Sequence, residues 1–285
     1  MNKILITGSN GLVGSYFINK YKDKYEIKTF SFLKDDISTL DCSTCEIVFH
    51  LSALVHQMGG ASCEEYERVN VSQTLQLAKK AKESGVKHFV FMSTVKVYGE
   101  ETFNKYSETS HCNPEDEYGK SKLKAEKLLL ELENDTFKVS IIRTPIIYGY
   151  GVKANIKNLV NLVNKIFILP FGNTQNKRSM VYIGNLCHLV DEVIIQQQTG
   201  IFLASDDEPL STSKLIEEIA GNLDKKVYLI KIPFFESFLK VLKPSFHKRL
   251  YGSLEVDNRI TKEKLNLQNP YSVKEGIRLM IKGEK

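Results

Sequence analysis

Tyr118 and Lys122 stand four positions apart in the run Tyr118-Gly119-Lys120-Ser121-Lys122, which places them on one face of a helix. A phenol ordinarily titrates near ~10, too high for acid–base work at neutral pH. A cation one helical turn away favours the phenolate and lowers that value. The pair therefore suits proton transfer to or from a sugar hydroxyl or carbonyl. Surface Tyr/Lys pairs with this spacing are common, so a second group has to support the reading. Thr94 does so: it follows the apolar run His88–Met92, at the end of a strand where open α/β sheets bind ligands. Its hydroxyl could share a substrate oxygen with Tyr118, and Ser93 is the competing hydroxyl.

A second stretch points to a phosphate. Gly8-Ser9-Asn10-Gly11-Leu12-Val13-Gly14 follows the apolar Ile4-Leu5-Ile6 and opens onto Leu12, Val13, Tyr16 and Phe17, the spacing of an amphipathic helix. A strand, a glycine-rich turn and a helix N-terminus make an anion site for a pyrophosphate. The glycines read Gly-x-x-Gly-x-x-Gly, with Asn10 in the slot where the usual dinucleotide fingerprint has its second glycine.

The elements that must hold these groups alternate. After the first helix come a second strand over Tyr25–Phe32, a buried strand at Ile47–Leu51, and a helix from Ala61 to Ser84 stopped by Gly85. The strand at His88–Met92, a helix entered near Asp116 and a strand at Val139–Ile142 follow. Past Tyr148 the rhythm breaks, with helices predicted at Ser213–Ile219 and Phe234–Leu242. The expected fold is α/β: a Rossmann-type doubly wound parallel sheet with a smaller mixed α/β C-terminal substrate lobe. Residues 1–150 form the nucleotide-binding part, with later sheet elements around 180–205, and residues 151–285 mainly the substrate lobe.

Composition bounds the partners. The 285 residues are 42% hydrophobic and 26% charged, with a net charge of +5. No dense Lys/Arg run marks a nucleic-acid footprint, while a mild cationic excess suits an anionic small substrate. No stretch approaches the roughly 18 apolar residues of a membrane span, and Met1-Asn2-Lys3 leads directly into a strand, so no secretory leader is expected. Five scattered cysteines fit a reducing cytoplasm. Cys42-x-x-Cys45 reads as surface-loop thiols rather than a metal or redox site, and no metal is expected.

Taken together, the glycine turn, Asp36-Ile37, Leu51-Ser52-Ala53, Asn70, Ser93-Thr94-Val95-Lys96-Val97-Tyr98-Gly99, Tyr118-x-x-x-Lys122 and Arg143-x-Pro145 resemble the extended short-chain dehydrogenase/reductase family, most of all its nucleotide-sugar epimerase/dehydratase branch. Asn155-Ile156-x-x-Leu159, Leu169-Pro170-Phe171-Gly172, Asn176-Lys177-Arg178-Ser179-x-Val181-Tyr182 and Leu254-Glu255-Val256-Asp257 are similar to bacterial enzymes that make UDP-activated N-acetylated sugars for surface polysaccharides. The resemblance implies that Tyr118 is the general acid/base, that Lys122 lowers its pKa and binds the nicotinamide ribose, and that Thr94 orients the sugar C4 oxygen. Gly8, Ser9, Asn10, Gly11, Leu12 and Val13 would cradle the pyrophosphate. Asp36 and Ile37 would meet the adenine, and Leu51 and Ala53 the adjacent ribose side. Ser52 and Asn70 would belong to the cofactor set, with Pro145 near the nicotinamide. Asn155, Arg178 and Arg249 would hold the UDP, with Leu159 in the substrate set. A homodimer and a UDP-linked amino sugar substrate are implied as well.

At the end of the second strand many NAD-using relatives carry an acidic residue, whereas Thr29-Phe30-Ser31-Phe32 is followed by Lys34. Ser31 and Lys34 without a carboxylate would tolerate a 2′-phosphate, so the expected cofactor is NADP, with NAD as the alternative. The expected function is then an NADPH-dependent reductase of a UDP-4-keto-6-deoxy-N-acetylhexosamine. The alternative is a UDP-N-acetylhexosamine (UDP-glucose-type) 4-epimerase with bound NAD, although the chain is shorter than typical 4-epimerases of this family. Val95 and Lys96 after Thr94 speak against a dehydratase, and the Tyr118/Lys122 pair against a non-catalytic NADP sensor.

Overall fold

In the computed structural model, which describes residues 2–55, 61–102 and 104–283, Ile4, Leu5 and Ile6 lie fully buried in strand β1 (Lys3–Thr7). Met1, on which the expectation about a leader rests, is outside the described residues. Helix α1 (Leu12–Tyr21) leads to β2 (Glu26–Phe30) and β3 (Ile47–His50). The segment expected as one helix is broken into α2 (Cys63–Tyr66), a π-helical turn over Glu67–Ser72, and α3 (Gln73–Glu83). Gly85, at φ 83°, ends it. Then come β4 (His88–Thr94), α4 (Glu117–Leu132), β5 (Lys138–Thr144), β6 (Ile146–Tyr148) and α5 (Ala154–Lys165). The chain continues through β7 (Ile168–Leu169), β8 (Met180–Tyr182), α6 (Ile183–Ile195), β9 (Gly200–Leu203), α7 (Thr212–Asn222) and β10 (Tyr228–Leu229). Four helices close it: α8 (Phe235–Leu242), α9 (Pro244–Tyr251), α10 (Arg259–Leu265) and α11 (Val273–Lys282).

Six strands form one parallel sheet in the order β2-β1-β3-β4-β5-β9. The order reverses between β1 and β3, and that switch point opens a crevice beyond the strands' C-terminal ends. Successive residues face opposite layers: Ile4 and Ile6 pack with Phe17, Phe49 and α6, whereas Leu5 packs with Val48, Phe89 and α3/α4 residues such as Leu77 and Leu129. The expected doubly wound α/β sheet is thus present. Of the late elements, β9 joins the sheet edge, but β8 pairs with β6 in a separate two-stranded ribbon, and β7 pairs with β10 in another.

Two local expectations are corrected. The second strand ends at Phe30 rather than Phe32, because residues 31–35 fold into a turn closed by Lys34 and Asp35 N–H bonds to the Ser31 carbonyl (2.9 and 2.8 Å). Cys42 and Cys45 are not surface thiols: both are buried in the core with Val48 and Phe89, and burial pushes the Cys42 thiol up to about 11. Among the described residues no helix is long and apolar enough to cross a membrane, and no group of three potential ligands could hold a metal.

Candidate active site

At the switch point the glycine turn is dictated by contact. Gly8 adopts φ +67°, and a Cβ there would meet Ser52 N at 2.9 Å. A Cβ on Gly14 would meet the Gly8 carbonyl at 2.6 Å, so helix and turn pack as only glycine permits. Gly11 caps α1 with no side-chain bond, and the first turn holds no acidic residue, which leaves its N–H groups to an anion. Asn10 and Gly11 are exposed, while Gly8, Ser9, Leu12 and Val13 are half-buried beside them. Leu51, Ser52 and Ala53 form the facing wall after β3, also half-buried.

That wall is held by a network sequence reasoning missed. Thr7 Oγ1 accepts from the N–H groups of Leu51 and Ser52 (3.1 Å each), which leaves its proton for His50 Nδ1 at 2.7 Å. His50 then carries its proton on Nε2 and donates it to Thr74 Oγ1 (2.9 Å). Burial drives the His50 pKa down to about 3, with the Lys122 charge adding to the shift, so the ring is neutral at pH 7. The only outward signal is a lone polar residue closing the run Ile47–His50. Asn70, expected among cofactor contacts, is fully buried in the π-turn. Its amide exchanges bonds with the Leu54 backbone (2.8 and 3.0 Å) and donates to Ser121 Oγ (3.0 Å), which donates to the Tyr118 carbonyl (2.8 Å). Asn70 therefore ties this wall to α4, with both amide protons donated inside the protein.

Across the crevice, Asp116 caps α4 by accepting from Gly119 N (2.7 Å), and its other oxygen receives Lys96 Nζ at 2.6 Å. Lys96 also bridges to Glu100 (2.6 Å), which fixes the helix start two residues before Tyr118. Thr94 ends β4 with its hydroxyl accepting from Lys96 N (3.3 Å). Its competitor Ser93 is buried on the other side and donates to Glu126 Oε1, so the two hydroxyls are separated by strand alternation. Glu126, one turn past Lys122, also holds Arg143 through Nε (3.1 and 3.2 Å) and Nη2 (2.5 Å). The guanidinium of Arg143 lies over the Tyr98 ring at 4.7 Å.

The titration of the pair departs from expectation. Tyr118 is half-buried and its pKa is pushed up, first by burial and then by the Asp116 carboxylate and Tyr66. Lys122 is buried with Nζ 4.0 Å from the Phe91 ring centre, and burial pulls its pKa down to about 7 against the opposing charge of Glu126. Desolvation thus outweighs the expected stabilisation of a phenolate by the lysine. The apolar layer that seats the ammonium also weakens its charge.

The end of β2 bears on the choice of cofactor. Asp35, which directly follows Lys34 in the sequence, folds back so that its Oδ2 accepts from Ser31 N (2.8 Å), bringing a carboxylate to the strand end beside Ser31. Lys34 is exposed beside it. Asp36 caps the short 3₁₀ turn Ile37–Thr39 by accepting from Ser38 N (2.8 Å), a bond that holds its carboxyl below the usual range. Ile37 is half-buried, with its carbonyl bound by Lys80 Nζ (2.9 Å).

Arg178 and Arg249 meet in a cavity of about 300 Å3 whose other walls are Lys96, Glu100, Glu115, Asp116, Pro244 and Lys248. Arg178 Nη1 donates to the carbonyls of Lys248 and Gly252 (3.1 Å each), anchoring α9. Burial lowers the Arg178 pKa, and the charge of Arg249 adds to this against Glu100 and Glu101. Two guanidiniums held together suit a diphosphate. Asn155 and Leu159 do not line this cavity: Asn155 is exposed on the first turn of α5, and Leu159 packs on the core. Pro145 is buried at the bend between β5 and β6.

Comparison with known proteins agrees with this architecture. Residues 4–202 match the NAD dependent epimerase/dehydratase family. A UDP-glucose 4-epimerase of Vibrio cholerae is 38% identical over 306 aligned positions, covering 96% of this chain and 93% of the relative. The 306 aligned positions exceed the 285 residues of this chain, so parts of that relative have no counterpart here, as expected of a chain shorter than typical 4-epimerases. A UDP-N-acetylglucosamine 4-epimerase of Bacillus cereus superposes with a TM-score of 0.81 at 19% identity, over 100% of both chains. A dTDP-4-dehydrorhamnose reductase of Bacillus anthracis in complex with NADP gives 0.79 at 20% identity, again over 100% of both. The fold is common to epimerases and reductases and does not choose between them.

Proposed function

The chain belongs to the NAD dependent epimerase/dehydratase family, and within it we propose that it is a UDP-sugar 4-epimerase that keeps NAD bound through its cycle. The observation that carries this reading is the Asp35 carboxylate on the Ser31 N–H at the end of β2. A carboxylate there accepts a ribose 2′-hydroxyl and repels a 2′-phosphate. The NADP reductase reading rested on the absence of such a group, and the end-to-end likeness to a UDP-glucose 4-epimerase supports the same choice.

The residues fit a dinucleotide: α1 starts without a side-chain cap beside a turn only glycine can make, at the switch point of the sheet. Gly8 to Val13 hold its pyrophosphate, with Leu51 to Ala53 opposite. Bound NAD supplies a reversible hydride acceptor. Tyr118 would take the proton of the sugar C4 hydroxyl as C4 gives up hydride, and would return it to the C4 oxygen once the turned 4-keto sugar regains hydride on its other face. Thr94 orients the C4 oxygen, and Lys122 binds the nicotinamide ribose and supplies positive charge to the phenol. Arg178 and Arg249 bind the UDP diphosphate, an anchor that persists while the sugar rotates. On this reading residues 1–150 with β9 hold the cofactor and residues 151–285 mainly the nucleotide sugar. Purified protein should carry NAD and interconvert UDP-glucose with UDP-galactose, or their N-acetylated counterparts, without added nucleotide. Turnover of a UDP-4-keto sugar only on addition of NADPH would restore the reductase.

A further inference from the structure

The outer side of α8 is apolar and is left exposed by the described residues. Phe234, Phe238, Val241 and Leu242 recur at i, i+4, i+7 and i+8 and are 86, 59, 79 and 60% exposed. Phe246 of α9 continues the stripe at 46%. The opposite side of the helix already supplies the core contacts, with Leu239 buried and the Phe235 ring 6.4 Å from that of Phe171. Burial inside the protein thus accounts for only one of two apolar faces. Phe234 moreover holds φ +63°, a left-handed conformation that bulky residues avoid, and the protein's own packing does not compensate for it.

Charge identifies what covers the stripe. Lys231, Lys240 and Lys243, which precede, interrupt and follow the stripe in the sequence, are all exposed. The single acid on α8, Glu236, is paired with His247 at 3.3 Å. An amphipathic helix with exposed aromatics and flanking lysines has the chemistry of a segment lying in a membrane interface. A second copy fits less well, since a two-fold contact would set the same lysines against each other. The same hairpin also forms part of the arginine cavity through Pro244, Lys248 and Arg249. We propose that the outer face of the α8–α9 hairpin docks on an anionic phospholipid bilayer, holding the enzyme at the membrane surface with its substrate cavity on the inner side of the docking element. Such a segment lies on the bilayer without crossing it, and among the described residues no helix is long and apolar enough to span one.

Co-sedimentation of the full chain with phosphatidylglycerol/phosphatidylcholine vesicles tests the idea, with pure phosphatidylcholine vesicles as reference. The bound fraction should rise at least fivefold with phosphatidylglycerol and fall with salt. Phe238→Glu with Leu242→Glu should remove binding yet leave lipid-free turnover of the UDP-sugar unchanged, a readout that separates this proposal from the assigned reaction. Should that double variant misfold by circular dichroism, Lys240→Glu with Lys243→Glu decides, by losing the phosphatidylglycerol dependence. Wild-type protein that stays in the supernatant at millimolar lipid overturns the proposal. Concentration-dependent dimerisation abolished by Phe238→Glu, without vesicle binding, likewise overturns it and assigns the face to a second copy.

Discussion

The β4–α4–β5 layer and the α8–α9 hairpin face the same crevice region and are built in opposite ways. In the first, buried polar groups are tied into networks: Glu126 takes bonds from Ser93 and Arg143, and Asn70 spans from Leu54 to Ser121. In the second, apolar groups stand in solvent, and α9 is pinned at its C-terminal end, where Arg178, Asn176 and Thr212 donate to the carbonyls of Lys248, Leu250 and Gly252. Groups that exchange protons need fixed positions, which close-packed polar networks provide. A wall that must admit a bulky nucleotide sugar, and in our proposal meet a membrane, carries little stability of its own.

The contrast breaks most visibly at Tyr118. Phe at this position should lower kcat by about 10²–10⁴-fold while NAD remains bound, measured by turnover and by cofactor content. An unchanged rate would remove the site from α4 altogether. Glu126→Leu comes next, because it leaves Arg143 buried without its partner; about 3–5 kcal/mol of stability should be lost in chemical denaturation. Arg249→Leu, in the hairpin, should instead raise KM for the UDP-sugar by roughly tenfold, with the melting temperature nearly unchanged. A large loss of stability there would show the hairpin to be as rigid as the sheet.

The titration of Lys122 sharpens the same point. Its folded value is pulled down to about 7 from the usual 10.5, so above that pH the unfolded chain binds the extra proton. The penalty for burying the cation is full below pH 7, and stability should rise between pH 7 and 9, as wild type is compared with Lys122→Met, which lacks that slope. Asp35→Ala should shift the NAD over NADP preference by about tenfold, or ~1.4 kcal/mol, in cofactor titrations. The smallest effect belongs to Val241→Ser, within about 0.5 kcal/mol in the absence of lipid.

Much of the architecture was legible in one dimension. Apolar runs at Ile4–Ile6, Ile47–Leu51 and His88–Met92 announce strands buried on both faces, and the glycines announce the turn, because each depends only on local period and backbone freedom. The π-turn at Glu67–Ser72 was not legible: it exists because Asn70 reaches two distant segments, a demand no local pattern records. Cys42 and Cys45 looked like loop thiols, since their burial depends on Phe89 and Val48 arriving from other strands.

The linear order of residues determined the alternating α/β layout, the Tyr118/Lys122 pairing on one helix and the glycine turn, all consequences of helical and strand periodicity. Tertiary structure decided which hydroxyl, Thr94 or Ser93, leaves the Glu126 network, whether the lysine's charge survives burial, and that Arg178 and Arg249, far apart in sequence, share a cavity. It also returned Asp35 to the end of β2, where its carboxylate accepts from the Ser31 N–H. Hydrogen-bond partners and desolvation are set by groups distant in the chain, and only folding brings those groups into reach.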